Sequence, residues 1–423
     1  MSLLRQWTLP PELWLVVFRV FDDRDPDSLQ AWDTLKSISL TCRAFRRFTL
    51  PLLCKTFALN PQASPPNSMP LSNCTDREVQ RLDFYASDRI APYVCHLKVL
   101  PYIKRLVPGS TMPETVHDNS LFLVCKFFDM LPRFTNARSL TCDDTVIEIR
   151  AFKNLSALSC LRSLSLTDCN ASDSLSTNDT LRPLRLHTFR AAYHGWDADL
   201  TKAGAHRWLS LIDPSSLQVL QVINACNSCS SSLGGFFRDM PSAGLFPSLH
   251  TLSLSGAPRV VRVIVQILSN TPALRRLTLA LQPLMRGDDH LLTASESPAR
   301  HLVPYLEVYD GSHKLLPHIL CRPRSSMESP SSSHLRRLQL HPGLNDDRSL
   351  HAVMNTLRSL CPTQLMHLTH FHASLTWVDC DALGNLCVLF PELRELMLTP
   401  KYPWSLFTRN VGCGLFLPHF PKC

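Results

Sequence analysis

Glycine is scarce in this chain of 423 residues, which contains only 13 of them. Average usage is about 7%, and loops that cradle phosphates need glycine at fixed spacing. The Gly-x-x-x-x-Gly-Lys-Ser/Thr loop and the dinucleotide-binding fingerprint are both missing. The His-Glu-x-x-His and Gly-x-Ser-x-Gly patterns of hydrolytic enzymes are missing too. We therefore expect a protein that is not an enzyme and that holds no cofactor.

Long hydrophobic runs and blocks of like charge are also missing. The longest apolar run near the start covers residues 13–18, whereas a membrane span needs roughly 18 residues. Pro10 and Pro11 precede this run, and no signal-peptide cleavage pattern comes after it. The net charge is +8, but lysine and arginine are dispersed. We expect no membrane anchor and no nucleic-acid partner.

Sixteen cysteines are spread over the whole chain. Several lie within apolar patterns, namely Cys42, Cys125, Cys142 and Cys160. A free cysteine behaves as a small buried hydrophobic residue, and disulfides are rare without a secretory signal. We expect reduced cysteines in the core and a location in the cytoplasm or nucleus.

Two groups of possible metal ligands are present, and neither has the pattern of a site. Cys226 and Cys229 form a single Cys-x-x-Cys pair, whereas zinc needs a second pair at suitable spacing. His367, His370 and His372 cluster near a predicted strand, but the sequence offers them no evident acid or thiol partner. We expect no metal.

The chain begins with a helix that is apolar on nearly every side. Its main stripe has the i, i+3, i+4, i+7, i+8 spacing of an amphipathic helix and consists of Leu13, Val16, Val17, Val20 and Phe21. Outside that stripe, Trp14, Leu15 and Phe18 are apolar as well. A small helical module can cover only part of such a helix, so the rest of the chain or another protein must cover the remainder.

A second helical stripe comes next, and Pro51 is expected to end its helix. The stripe comprises Leu35, Ile38, Cys42, Phe45 and Thr49. The order Leu9-Pro-x-Glu-Leu, apolar helix, Leu40-Thr-Cys42-Arg43-x-Phe45 and Leu50-Pro51-Leu52-Leu53 resembles an F-box. This family docks on the Skp adaptor of cullin-based ubiquitin ligases. By position, the resemblance places at the adaptor Leu9, Pro10, Leu13, Phe18, Leu40, Cys42 and Phe45. Alternatively, these helices merely cap the domain C-terminal to them.

From residue 137 the motif apolar-x-x-Leu-x-apolar recurs. Its central leucines are Leu140, Leu164, Leu184, Leu220, Leu252, Leu277, Leu306, Leu338 and Leu396, with a looser copy around Leu368 and Phe371. They step by 20 to 36 residues, against about 20–29 in regular leucine-rich repeats. The Leu-x-Leu alternation predicts half-buried strands that stack into a parallel sheet backed by helices. Such helices are predicted over residues 260–268, 350–360 and 381–389.

The predicted fold class is α/β, with a short all-α F-box module that precedes an irregular leucine-rich-repeat solenoid. Residues 1–60 form the module, 61–76 a linker and 77–136 a helical connector with a helix over residues 121–130. Residues 137–400 form the repeats and 401–423 a tail or cap. The alternative is an ordinary α/β domain with leucine-rich strands.

The combination resembles the divergent F-box/repeat proteins of filamentous and mushroom-forming fungi. That resemblance implies a substrate-recognition adaptor whose partners are a Skp-family adaptor, a cullin ligase and an unknown substrate protein. Strand residues that flank the central leucines should face solvent, and the candidate substrate-binding residues among them are Arg276, Thr278, Arg337 and Gln339. Guanidinium groups suit an acidic or phosphorylated segment. Alternatively, the chain is a repeat scaffold without a ligase role.

Overall fold

The computed structural model describes residues 13–14, 16–17, 29–60, 71–100, 114–171, 182–194, 207–224, 246–256, 264, 267–281, 303, 305–312, 315–320, 335–340, 350–359, 365–375, 385–386 and 388–400. The chain divides into two compact units, Met1–Leu164 and Ser165–Cys423. The division falls inside strand β5 (Ser163–Thr167), later than the start of the repeats expected at residue 137. The predicted tail, 401–423, lies outside the described residues.

The first unit alternates helices with short strands. Its helices are α1 (Leu29–Thr41), α2 (Arg43–Leu53), α3 (Leu71–Tyr85), α4 (Glu114–Met130) and α5 (Ile149–Ser156). Its strands before β5 are β1 (Thr56–Leu59), β2 (His96–Val99), β3 (Ser139–Asp143) and β4 (Val146–Ile147). Short 3-10 turns cover Ala91–Tyr93 and Leu131–Arg133. Strands β1, β2 and β3 pair in parallel, which sets Phe57 beside Leu97 and Leu97 beside Leu140.

Strands β1 and β2 were not predicted, because only helices were expected in residues 1–60 and 77–136. Phe57 and Leu59 of β1 are buried, as are Leu97 and Val99 of β2. This alternation of buried and solvent-facing residues is that of a half-buried strand. The parallel stack therefore begins at β1 rather than at residue 137. The predicted linker, 61–76, also overlaps α3.

The predicted helix carrying Leu35 to Thr49 is in fact two helices, because Cys42 interrupts it. Cys42 has an extended backbone, with φ −156° and ψ 164°. Its Sγ accepts a hydrogen bond from the backbone N–H of Phe45 at 3.4 Å, which makes it the N-cap of α2. Pro51 does not end α2 as expected. It lies in the last turn, where its missing N–H removes a single intrahelical bond.

The described cysteines are free thiols, but they do not all lie in the core as expected. Cys142 is buried, together with Cys54 and Cys169, whereas Cys42 and Cys125 are exposed. Burial raises the pKa of the Cys54 thiol, which keeps this side chain neutral and suited to an apolar interior.

The second unit is a stack of parallel strands joined in sequence order. Its elements are β6 (Asn170–Ala171), β7 (Thr188–Tyr193), α6 (Arg207–Ser210), β8 (Val219–Asn224), β9 (Thr251–Gly256), β10 (Arg276–Leu281), β11 (Val308–Gly311), α7 (Leu316–Leu320), β12 (Arg337–Leu340), α8 (Leu350–Ser359), β13 (His370–Leu375) and β14 (Glu395–Pro400). From β7 to β14 each strand pairs in parallel with the next. The predicted α/β class, with a long parallel sheet and intervening helices, is confirmed.

One inward residue from each of these strands forms a continuous column. This central column contains Phe189, Leu220, Leu252, Leu277, Tyr309, Leu338, Phe371 and Leu396. Three predicted centres were wrong, since the aromatic members stand in place of Leu184, Leu306 and Leu368. Those leucines are buried as well, but each lies before its strand. From Leu164 the spacing becomes 25 residues to Phe189 and then 31 to Leu220, instead of 20 and 36, so the array is more regular than predicted.

Tyr309 fits a leucine position because Gly311 leaves room for its ring. A Cβ atom on Gly311 would lie 2.8 Å from the Tyr309 hydroxyl oxygen and 3.2 Å from Cβ of Leu279. The hydroxyl donates to the carbonyl oxygen of Ser312 at 2.8 Å. In this strand the second inward position is therefore a glycine, Gly311, and the ring of Tyr309 occupies the space that a side chain would fill there.

Helices occur between the strands, as predicted. Helix α8 confirms the helix predicted over residues 350–360, and α4 includes the one predicted over 121–130. The described residues within 260–268 and 381–389 are helical as well. Val353, Met354 and Leu357 of α8 are buried. In the part of the chain that the structure describes, no helix combines the length and apolarity needed to cross a membrane.

Candidate functional site

The first candidate surface lies at the start of the chain, where residues 13–14 and 16–17 are helical. Trp14 is half-buried, and its ring meets that of Phe45 edge to face with centroids 4.8 Å apart. Leu13, Val16 and Val17 are instead 48%, 58% and 42% exposed. The described positions of the main stripe therefore face solvent, while Trp14, outside the stripe, makes the packing contact. We call Leu13, Val16 and Val17 the docking face.

The residues assigned to the adaptor by resemblance have different environments. Leu40, at the end of α1, is 78% exposed, and Cys42 beside it is exposed too. Phe45 is half-buried against Trp14. Leu13 belongs to the docking face. Leu9, Pro10 and Phe18 lie outside the described residues, as do Leu15, Val20 and Phe21.

The second candidate surface runs along a row of residues that each immediately precede a strand of the second unit. This strand-start row contains Arg275, Glu307, Arg336, Thr369 and Arg394. From Glu307 onward, the backbone N–H of each residue donates to the carbonyl oxygen of the row member before it, at 2.8 to 2.9 Å. Neighbouring strands are about 4.8 Å apart, so Arg336 and Arg394 start about 10 Å apart on the backbone with Thr369 between them.

A groove of about 600 Å³ opens at this row. Its lining residues are Arg336, Arg337, His367, Thr369, His370, Glu392 and Arg394. The volume lies within the range of about 300–1,000 Å³ that is typical of ligand sites. We call this feature the arginine groove.

The carboxylates near the arginine groove are opposed by histidines. His367 Nδ1 lies 3.3 Å from Glu392 Oε2, and His370 Nε2 lies 3.5 Å from Glu395 Oε2. The Thr369 hydroxyl donates to the carbonyl oxygen of Arg336 at 3.0 Å, so its oxygen accepts from His370 Nδ1 at 2.8 Å. These contacts fix the His370 ring.

The guanidinium groups of the groove have no anionic partner in the part of the chain that the structure describes. Glu307, the acid nearest to Arg336 in the strand-start row, is paired with Arg275 at 3.2 Å. Within the described ranges, no carboxylate forms an ion pair with Arg336, Arg337 or Arg394. Three arginines therefore line one groove that contains a single described carboxylate, Glu392.

The four predicted substrate-binding residues occupy two rows. Arg276 and Arg337 share a row but have Val308 between them. Thr278 and Gln339 share the next row, with Asp310 between them. Only Arg337 of the four lines the arginine groove, and the Asp310 carboxylate would repel an anion lying across Thr278 and Gln339.

Sequence reasoning missed Arg336 and Arg394, although a signal for them was present. Both come directly after the first leucine of a motif, in Leu335-Arg336-Arg337-Leu338 and Leu393-Arg394-Glu395-Leu396. The strand alternation singles out the residues that flank the central leucine, whereas the residue just before the strand also faces the groove.

The structure brings no metal-binding constellation together among the residues it describes. His367 and His370 are held by Glu392, Glu395 and Thr369, and His372 Nε2 lies 3.4 Å from Thr399 Oγ1. Cys226 and Cys229 lie outside the described residues.

Comparison with protein-family models gave no match, and comparison with curated proteins gave none either. A solved structure of an internalin (inlF) from Listeria monocytogenes aligns with the chain at 11% sequence identity and a TM-score of 0.32. The alignment covers 92% of this chain and 96% of the internalin. Likeness at that score adds nothing to the architecture that the strand pairing already defines.

Proposed function

We propose that this chain is a substrate-recognition adaptor of a Skp–cullin–F-box ubiquitin ligase, acting in the cytoplasm or nucleus. The observation that carries the proposal is the docking face. Leu13, Val16 and Val17 are apolar and solvent-exposed at i, i+3 and i+4 of one helix. The sequence around them resembles an F-box, whose partner is the Skp adaptor.

The energetics of the docking face favour a protein partner. Full burial of a Val or Leu side chain contributes about 1.5–3 kcal/mol relative to leaving it exposed. Leu40 and Trp32 add exposed apolar surface on α1, at 78% and 47%. Within this proposal the repeats hold a second protein, and the transfer of ubiquitin is carried out by the partners of the chain.

Co-purification with a Skp-family adaptor tests the proposal. The full chain is co-expressed with the adaptor and compared with the variant Leu13→Asp/Val17→Asp. Each substitution removes an apolar contact and would bury a charge at the interface, so we expect a loss of affinity of at least about 100-fold. The wild-type chain should retain the adaptor on the column.

The matched control is Val388→Asp, which changes an 82% exposed valine of the second unit. It makes one of the two chemical changes, valine to aspartate, far along the chain and should leave adaptor binding intact. Circular dichroism then establishes that all variants are folded. If the wild-type chain fails to co-purify with the adaptor, the chain is a repeat scaffold without a ligase role.

A further inference from the structure

We propose that the arginine groove binds a phosphorylated serine or threonine in an extended segment of a partner protein. The inference deepens the proposed function and rests on its repeat half, the holding of a second protein. It does not depend on adaptor docking, because the groove lies wholly within the second unit.

The backbone places two arginines on either side of a small residue. Arg336 and Arg394 flank Thr369 in the strand-start row and line the same groove. Their backbones are about 10 Å apart, a separation that two long guanidinium side chains bridge when they converge on one group above Thr369. Arg337, one residue into its strand, adds a third cation beside His370.

The charge balance favours a phosphate over a carboxylate. Among the described residues, none of the three guanidiniums forms an ion pair with a carboxylate, whereas Glu392 and Glu395 each contact a histidine nitrogen, at 3.3 and 3.5 Å. The groove therefore has three arginines for one lining carboxylate, Glu392. A phosphate monoester carries about −1.5 to −2 charges and offers three acceptor oxygens. A carboxylate carries one charge and two oxygens, so it satisfies at most one guanidinium in bidentate fashion.

The same groove is poorly suited to a nucleic acid. Glu392 lines it, and Glu395 and Glu307 border it, so a continuous polyanion would meet carboxylates on either side of a favoured phosphate. None of the described lining residues is Phe, Tyr or Trp, the side chains on which single-stranded bases stack. A single phosphate on a peptide avoids both problems.

Peptide binding to the purified full chain, without any adaptor, tests the inference. The probe is a fluorescein-labelled degenerate peptide with one fixed phosphothreonine, and binding is monitored by anisotropy. Two further probes carry threonine or glutamate at the fixed position, and an oligouridylate serves as competitor. We expect the phosphorylated probe to bind at least about tenfold more tightly than either peptide, and the oligouridylate to compete weakly.

The variant Arg336→Glu/Arg394→Glu should weaken binding of the phosphorylated probe by about 100-fold or more, since each lost charge-assisted contact accounts for about tenfold or more. The matched control is Arg138→Glu/Arg162→Glu. These exposed arginines immediately precede β3 and β5 in the first unit, so the control makes the same change in net charge at the same kind of position.

Three results would overturn the inference. An equal loss in the control would show that net charge, and not the groove, attracts the peptide. Equal binding of the glutamate probe would show that phosphate is not selected. Stronger binding of the oligouridylate would identify a nucleic-acid surface. Because no adaptor is present, failure here leaves co-purification with the Skp adaptor as a separate result.

Discussion

Tyr309 is a large aromatic residue that takes a leucine position in one repeat while the strand stack remains continuous. Its ring is fully buried in the central column between Leu277 and Leu338. Burial raises the pKa of Tyr309, so its hydroxyl stays protonated at neutral pH and donates to the carbonyl oxygen of Ser312. Gly311 makes this possible, since any side chain there would meet the hydroxyl group.

We therefore predict that Gly311→Ala destabilises the second unit. The new Cβ would lie 2.8 Å from the Tyr309 hydroxyl oxygen, well inside normal contact distance. Overpacking of this kind costs about 1–3 kcal/mol in the free energy of unfolding. Chemical denaturation of the full chain, monitored by tyrosine and tryptophan fluorescence, measures the loss.

A double-mutant cycle shows whether the clash is the cause. Tyr309→Phe alone should cost about 1 kcal/mol, because it removes the bond to Ser312. In Gly311→Ala/Tyr309→Phe the hydroxyl is no longer in the way, so the combined loss should fall short of the sum of the two single losses by at least about 0.5 kcal/mol. Simple additivity would contradict our account of Gly311.

The three aromatic strand centres, Tyr309, Phe189 and Phe371, mark the limit of what the sequence predicted about the central column. The leucine pattern identified five strand centres that belong to the central column, namely Leu220, Leu252, Leu277, Leu338 and Leu396. It missed Phe189 and Tyr309 because each comes three to five residues after a buried leucine that completes a convincing motif, and it counted the looser copy that includes Phe371 from Leu368. Only the strand pairing shows whether the leucine or the aromatic residue after it lies in the central column.

At the scale of elements, the break between α1 and α2 depends on one atom. Sγ of Cys42 accepts a hydrogen bond from the N–H of Phe45 at 3.4 Å, and a cysteine sulfur is a weak acceptor. Phe45 in turn supports Trp14 of the first helix. The quality of this cap therefore affects the helix that carries the docking face.

We predict that Cys42→Ser strengthens α2 and Cys42→Ala weakens it. Serine is among the preferred N-cap residues, and loss of a cap costs about 0.5–2 kcal/mol. Hydrogen exchange of the α2 amides, Phe45 above all, should slow in the serine variant and quicken in the alanine variant.

The matched control for the cap is Cys125→Ser. Cys125 is an exposed cysteine in the middle of α4, so the same change of sulfur to oxygen occurs where no cap is needed. Exchange in α4 should remain unchanged, because serine and cysteine have similar helix propensities. Equal slowing in both helices would argue against capping by residue 42.

Whole elements were predictable where hydrophobic periodicity was strong, and not where it was short. Helices α4 and α8 and the leucine-rich strands are predicted by their patterns. Strands β1 and β2 show only Phe57-x-Leu59 and Leu97-x-Val99, too little to separate a strand from the helical surroundings. Likewise the split at Cys42 has no signal in spacing, since residues 35, 38, 42, 45 and 49 suit a continuous helix.

At the scale of the whole molecule, each compact unit carries one candidate surface, and the two surfaces differ in their chemistry. The docking face of the first unit is apolar, and the arginine groove of the second is cationic. The sequence predicted both surfaces but only part of their residues, Leu13 for the docking face and Arg337 for the arginine groove. The contact between the Trp14 and Phe45 rings determines which side of the first helix is buried. The charge of the groove lining depends on which carboxylates contact its histidines.

The apolar docking face and the cationic arginine groove predict different responses to salt. Raising the ionic strength from about 0.05 M to about 1 M shortens the screening length to about 3 Å, so binding of the phosphorylated peptide should weaken steeply. Adaptor binding through Leu13, Val16 and Val17 should change little, because burial of apolar surface does not depend on charge.

Both measurements use the same full-length protein and are cross-checked with the variants of the other surface. Leu13→Asp/Val17→Asp should leave peptide affinity unchanged, and Arg336→Glu/Arg394→Glu should leave adaptor binding unchanged, since sites without shared partners act additively. A salt response shared by both ligands would mean that the chain binds them through its net charge of +8. In that case neither surface would have the specificity that an adaptor requires.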